Sequence, residues 1–105
     1  MVKLLTIAHR RKVLSKNSYS FLWEKMTASV TAPNRIKGLL PKEIKVAHRT
    51  GTASNAYNDA GIISLPNGNH LVIAVFISDA KEYPETCNNV IALITRQALD
   101  YFKTR

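Results

Sequence analysis

Apolar positions recur at helical spacing near both ends of the chain and alternate or run together between them. Val2, Leu5, Ala8 or His9, and Lys12 or Val13 fall on one side of a helix over residues 2–14, with basic residues on the other side. Ser15-Lys16-Asn17-Ser18 is a polar break rich in candidate N-caps. A second helix follows over about residues 18–28, where Leu22 and Met26 lie four apart with Trp23 beside them, a core-packing cluster. Residues 27–40 are irregular, punctuated by Pro33 and Gly38. Ile44, Val46 and His48 then alternate with Lys45, Ala47 and Arg49, which predicts a strand with unequal faces. Ala60–Leu65 and Leu71–Ser78 read as two more strands, joined through Pro66-Asn67-Gly68-Asn69, and Asn-Gly is a strong hairpin signal. The third strand is apolar on both faces, the pattern of a strand inside a covered sheet. Pro84-Glu85-Thr86 opens a last helix with Thr86 as its expected N-cap. Val90, Ile91, Ile94, Ala98 and Tyr101 or Phe102 form its expected buried stripe, and Lys103 and Arg105 stand at the negative end of its dipole.

These elements predict an α+β fold: an antiparallel three-stranded meander with N-terminal helices and a long C-terminal helix packed on the sheet. The 105 residues make a single domain, with a helical segment over 1–30 and the sheet plus C-terminal helix over 31–105. An apolar content of 46% suits a globular chain. The longest apolar run, Leu71–Ile77, is far short of the ~20 residues of a membrane span. The net charge of +8 raises the question of nucleic acid. The basic residues are scattered, however, and their one tight cluster, His9-Arg10-Arg11-Lys12, has no interleaved aromatics, so a solvated surface that attracts an anionic substrate is the better reading. The lone Cys87 has no internal disulfide partner and reads as a passive near-surface residue. Met1-Val2-Lys3-Leu4-Leu5 runs straight into that basic cluster where a signal's apolar core would continue, so the chain as given is expected to stay in the cytoplasm.

The candidate chemistry lies at Arg49-Thr50-Gly51-Thr52, placed near the end of the first strand. Arg49 supplies fixed positive charge, Thr50 a hydroxyl, Gly51 close access to the backbone and Thr52 a main-chain N–H. Such a set suits a carboxylate and a developing oxyanion. His48 alternates with Arg49 and so points to the opposite face, as a packed or surface histidine. His9 and His70 have no carboxylate or cysteine at ligand spacing, so no metal and no cofactor is expected.

Taken together, Arg35-Ile36-Lys37-Gly38-Leu39-Leu40-Pro41, Val46-Ala47-His48-Arg49-Thr50-Gly51-Thr52, Asn58-Asp59-Ala60-Gly61-Ile62-Ile63 and Val72-Ile73-Ala74-Val75-Phe76 resemble, in order and spacing, the C-terminal part of a class A serine β-lactamase. The resemblance runs from about Leu14 to Phe102. It implies an incomplete β-lactamase/transpeptidase-like fold and a parent enzyme that hydrolyses β-lactams in the periplasm or outside the cell. Arg49 stands where most members carry Lys. By this likeness Arg49 and Thr50 bind the substrate carboxylate and the Thr52 N–H is one half of the oxyanion hole. Gly51 lies between them. Many members place an arginine near Ala60; this sequence does not, and Arg35 takes the position of the alternative carboxylate-orienting charge, against the plainer reading of a solvated loop arginine.

The resemblance also implies what is missing. The family's S-x-x-K serine, its S-D-N box and its deacylating glutamate precede the matched region. Ser78-Asp79-Ala80-Lys81 fits S-x-x-K by spacing, but it sits at the end of a strand and reads as a decoy. No catalytic residue is therefore assigned. The family sheet has further strands from the N-terminal end of the chain, which leaves Leu71–Ser78 here as an open apolar edge. Self-association, element swapping, or a complementary N-terminal fragment is the expected consequence. The alternatives are a non-catalytic binding module for an anionic ligand, or a remnant without activity.

Overall fold

A computed structural model describes residues 1–10, 15–27 and 34–103. The elements run α1 (Val2–His9), α2 (Lys16–Thr27), β1 (Val46–Ala53), β2 (Ala56–Ser64), β3 (His70–Ile77) and α3 (Pro84–Phe102). The three strands form one antiparallel sheet in the order β1-β2-β3. This is the α+β meander with flanking helices that the hydrophobic pattern predicts. The end of the first expected helix, residues 11–14, lies outside the described residues, as do Pro33 and Arg105.

Both hairpins turn on residues that adopt positive φ. Ser54 and Asn55 link the paired Ala53 and Ala56, with Asn55 at φ 57°. This shape favours a residue with a short polar side chain. The β2–β3 connection departs from a two-residue Asn-Gly turn. The Gly68 N–H donates to Leu65 O at 3.1 Å, the Leu65 N–H donates to Asn69 O at 2.8 Å, and only Gly68, at φ 88°, has crossed to positive φ. The loop is therefore Pro66-Asn67-Gly68, a turn closed by a left-handed glycine, and the register after it pairs Ser64 with His70.

The sheet is covered on both faces. Val46, Ile63 and Leu65 pack with Ile36 and with Ile91 and Leu99 of α3 on one side. Ala60 and Ile62 pack with Leu5 of α1 and with Trp23 and Met26 of α2 on the other. The alternation of each strand feeds both cores, since successive side chains point to opposite faces.

Four details differ from the sequence expectation. Strand β2 begins at Ala56, not at Ala60, so the Arg-Thr-Gly-Thr box, near the end of β1 as expected, is paired along its whole length. The strand apolar on both faces is β3, which lies at the sheet edge as the family resemblance implies, against the central place its hydrophobic pattern suggests; no β3 residue is fully buried and Phe76 is 61% exposed. The third detail is the start of α3, which Pro84 opens with Tyr83 as N-cap and no side-chain cap, so Thr86 lies inside the first turn. Proline suits this position because its missing N–H needs no partner there.

The fourth difference is the phase of α3. Cys87, Ile91, Ala92, Thr95 and Leu99 are its buried residues, whereas Val90, Ile94 and Phe102 stand exposed. The helix carries two apolar stripes, and close approach selects the slimmer one. A Cβ on Gly38 would lie 3.0 Å from Ala92 Cβ, so small residues meet where the loop crosses the helix. Thr95 stays in that buried stripe by donating its hydroxyl to Ile91 O at 2.8 Å. At the helix end Lys103, and Arg96 with it, pairs with Asp100 at 3.2 Å and lowers the pKa of that carboxyl.

Candidate substrate-binding site

The ladder settles which way the β1 backbone points. The Ser64 N–H donates to Lys45 O at 3.0 Å. Hydrogen-bonded pairs in an antiparallel ladder recur at every second residue. Ala47–Ile62, Arg49–Ala60, Gly51–Asn58 and Ala53–Ala56 are therefore the bonded pairs. The N–H groups of Thr50 and Thr52 point away from β2, out of the open edge of the sheet. Two outward main-chain donors thus flank Gly51.

Side chains divide by face. Arg49 and Gly51 share the side of α1 and α2, and Thr50 and Thr52 share the side of His48 and Asp59. Arg49 is exposed, as are Gly51 and Thr52, and Thr50 is half-buried. Gly51 borders open space: a Cβ there would meet nothing nearer than Asn58 Nδ2 at 3.8 Å.

Arg35 is not a solvated loop residue. It is 4% exposed, and its guanidinium lies over the Gly51–Asn58 rung. Its Nε–H donates to Asn88 Oδ1 of α3 at 2.8 Å. Its Nη1 donates to Gly51 O at 3.1 Å and to Asn58 O at 2.9 Å, and its Nη2 to Thr52 Oγ1 at 2.7 Å. The Tyr57 ring lies 5.5 Å from its central carbon, a cation–π distance. Four of the five guanidinium N–H groups are thereby used. Every acceptor among them is neutral, so the positive charge is delivered beneath the outer half of β1 without being cancelled.

One neighbouring pair joins residues that no local pattern connects. His48 and Asp59 are both 0% exposed, with His48 Nδ1 3.0 Å from each carboxylate oxygen. Asp59 Oδ2 also accepts the Ile36 N–H at 3.1 Å. His48 thus faces away from Arg49, as alternation requires, and is packed, not exposed. The only prior signal for the pair is Gly61, which lies opposite His48 and makes room for it.

Ser78-Asp79-Ala80-Lys81 follows β3 as a bend, not a helix. Asp79 adopts φ 52° and the Ala80 N–H is bonded to Asn55 O at 2.9 Å. Ser78 and Lys81 therefore do not share a helix face. Cys87 is buried inside α3, deeper than a near-surface position. His9 and His70, far apart in sequence, bring their rings to 4.3 Å between centroids, and His9 Nδ1 lies 2.8 Å from the Tyr19 hydroxyl. Among the described residues no group of three or more His, Cys, Asp or Glu side chains is placed to hold a metal ion, and no helix is long and apolar enough to cross a membrane.

The sheet with its flanking helices superimposes on solved β-lactamase and PBP-A structures. The TLA-1 extended-spectrum beta-lactamase superimposes with a TM-score of 0.92 at 41% identity, over 97% of this chain and 40% of that one. The structure of PBP-A does so with a TM-score of 0.89 at 25% identity, over 99% and 38%. Beta-lactamase VEB-1 of Pseudomonas aeruginosa is 41% identical across 97% of this chain, and the extended-spectrum beta-lactamase PER-1 of the same organism is 38% identical across 94%. A sequence model of the beta-lactamase enzyme family matches residues 1–102. The chain belongs to this family, and it corresponds to part of a class A serine β-lactamase. It spans 37% of the length of VEB-1 and 34% of that of PER-1.

Proposed function

We propose that this chain forms the substrate-gripping half of a serine β-lactamase site. The carboxylate common to β-lactams lies against Arg49 and the Thr50 hydroxyl, at the edge where strand alternation brings the two faces within reach of one ligand. Arg35 supplies a second positive charge from below. The Thr52 N–H meets the oxygen on which negative charge develops when the lactam carbonyl is attacked. Gly51 leaves that approach open. The observation that carries the reading is the pair of outward N–H groups at Thr50 and Thr52 with the Arg35 guanidinium bonded beneath them.

In this reading the nucleophile comes from outside these 105 residues, and β-lactam hydrolysis, with the antibiotic resistance it confers, belongs to the complete enzyme acting in the periplasm. Titrating the labelled chain with benzylpenicillin is expected to shift the Thr50 and Thr52 amide resonances. Nitrocefin turnover by the chain alone is expected to be absent. Unmoved amides at saturating ligand would dismiss the grip, and a covalent penicillin adduct on Ser78 would overturn the assignment of Ser78–Lys81 as a decoy. An equal response to acetate would favour the simpler reading, a module for any small anion.

Apolar patches on the two faces of the sheet bear on partners. Phe76 on β3 and Val90, Leu93, Ile94 and Phe102 on α3 are exposed apolar side chains, and among the described residues β3 is an unpaired edge. Exposed edges and apolar patches recruit further protein. The 105-residue chain is expected to self-associate in sedimentation velocity at micromolar concentration, and Phe76→Lys with Ile94→Lys is expected to shift it toward monomer. A wild-type monomer across that range would count against the surface as an interface.

A further inference from the structure

We propose that His48 is a positioning residue for the Arg35 guanidinium: by occupying the Asp59 carboxylate, it keeps that guanidinium aimed at the outer rungs of β1. Arg35 is bonded to the carbonyl of Asn58, and the next residue is Asp59. A buried guanidinium and a buried carboxylate therefore attach to successive residues of β2, yet they form no ion pair with each other. Charge-assisted pairing between them would be stronger than any of the neutral contacts Arg35 makes. The carboxylate is instead filled by His48 Nδ1, at 3.0 Å from both oxygens, and by the Ile36 N–H at 3.1 Å.

The second of these partners closes the device. The Ile36 amide is the peptide that follows Arg35, so Asp59 anchors the base of the arginine while Asn58, Gly51, Thr52 and Asn88 hold its tip. His48 makes no other side-chain contact of this kind, since its Nε2 is buried without a hydrogen-bond partner. Among the described residues its hydrogen bonding therefore runs through Nδ1. Gly61 gives the ring its space: a Cβ there would lie 2.7 Å from His48 Cβ. Without the imidazole, the carboxylate keeps the Ile36 N–H, and Arg35, bonded to the carbonyl of the preceding residue, is a cation on the neighbouring backbone. The guanidinium is then drawn inward, away from Thr52 and from any ligand at the edge.

The consequence for ligand binding rests on the proposed carboxylate grip, whereas the placement of Arg35 does not. In the wild-type chain, nuclear magnetic resonance is expected to find a His48 Nδ1–H proton in slow exchange with a cross-peak to the Ile36 N–H, and a protected Arg35 Nε–H. In His48→Gln the amide sits too far along the side chain to replace Nδ1. Exchange of the Arg35 Nε–H is expected to rise about tenfold, and benzylpenicillin affinity at the Thr50 and Thr52 amides to fall about tenfold, an amount matching the loss of one buried hydrogen bond. Amides of Ile63 and Ile91 stay protected. His48→Asn, which carries a donor close to the Nδ1 position, is expected to restore both. Wild-type Arg35 exchange in His48→Gln, or failure of His48→Asn to restore what His48→Gln loses, would overturn the proposal. Should His48→Gln not fold, the wild-type cross-peak and Arg35 exchange in His48→Asn decide: absence of the cross-peak, or Arg35 exchange in His48→Asn faster than in wild type, refutes it. Penicillin that leaves the wild-type amides unmoved would sink the carboxylate grip while the Arg35 rates still judge His48.

Discussion

Gly61→Ala is expected to unfold the chain. The added Cβ would lie 2.4 Å from Ala47 O, 2.7 Å from His48 Cβ and 2.9 Å from His48 Cα. Two of those atoms are backbone, held in place by the ladder that pairs Ala47 with Ile62. Relief requires β1 to move off β2, and any such movement also separates His48 from Asp59. Overpacking alone costs about 1–3 kcal/mol, and spoiling a buried hydrogen-bonded pair adds about 1–3 kcal/mol more. A chain of this size has about 5–15 kcal/mol in total, and one with an open sheet edge sits at the low end of that range. A urea titration followed by circular dichroism is expected to show little folded baseline for Gly61→Ala. Gly51→Ala is the control, because its Cβ meets nothing closer than 3.8 Å. It is expected to melt within about 0.5 kcal/mol of wild type once its position in a strand is allowed for, and to lose ligand at the edge. Equal urea midpoints for Gly61→Ala and wild type would refute the steric argument.

The difference between those two glycines marks the boundary of what was legible in sequence. Gly51 was conspicuous because it stands in a motif, and its role is local: open space beside a backbone. Gly61 stands out only when His48 is known to lie across from it. The strands, their order along the chain and the hairpin between β2 and β3 follow from alternation and from Asn67-Gly68, which are short-range signals. The turn type did not follow, since only Gly68 of that pair takes positive φ and Asn67 stays in a turn begun by Pro66. Periodicity misphases the α3 stripe for a related reason. Val90 and Ile94 outweigh Cys87 and Thr95 in hydrophobicity, and periodicity favours the greasier side. Contact with Gly38, distant in sequence, favours the slimmer one. The site divides likewise. Arg49, Thr50, Gly51 and Thr52 are contiguous and were readable as a box. Arg35 was placed by likeness alone, and its five partners come from β1, β2 and α3, none of which a local pattern connects. Asp59 stands in a segment that carries the resemblance, but its partner is not legible there, because it pairs with His48, eleven residues away across a turn.

Arg35→Ala is expected to produce the second large effect, on stability and on binding together. The truncation removes the donor to Asn88 Oδ1, Gly51 O, Asn58 O and Thr52 Oγ1 at once. The two carbonyls keep their ladder partners, so the sharpest losses fall on Asn88, on Thr52 and on the tie between α3 and β1. A cost of about 3 kcal/mol follows from those lost bonds and the cavity left over Tyr57. Binding of benzylpenicillin is expected to fall by more than tenfold, since the charge beneath the edge disappears with its geometry. Arg35→Lys separates the two contributions. It keeps the charge, but an ammonium on a flexible stem does not span acceptors on three elements as the planar fork does. Its urea midpoint is expected to lie between wild type and alanine, and its penicillin affinity near that of alanine. If lysine restores affinity fully while stability stays low, then charge alone serves the ligand and the planar cage serves only the fold. If alanine melts like wild type, Arg35 does not tie β1 to α3, and the outward N–H groups of Thr50 and Thr52 owe their placement to the ladder alone.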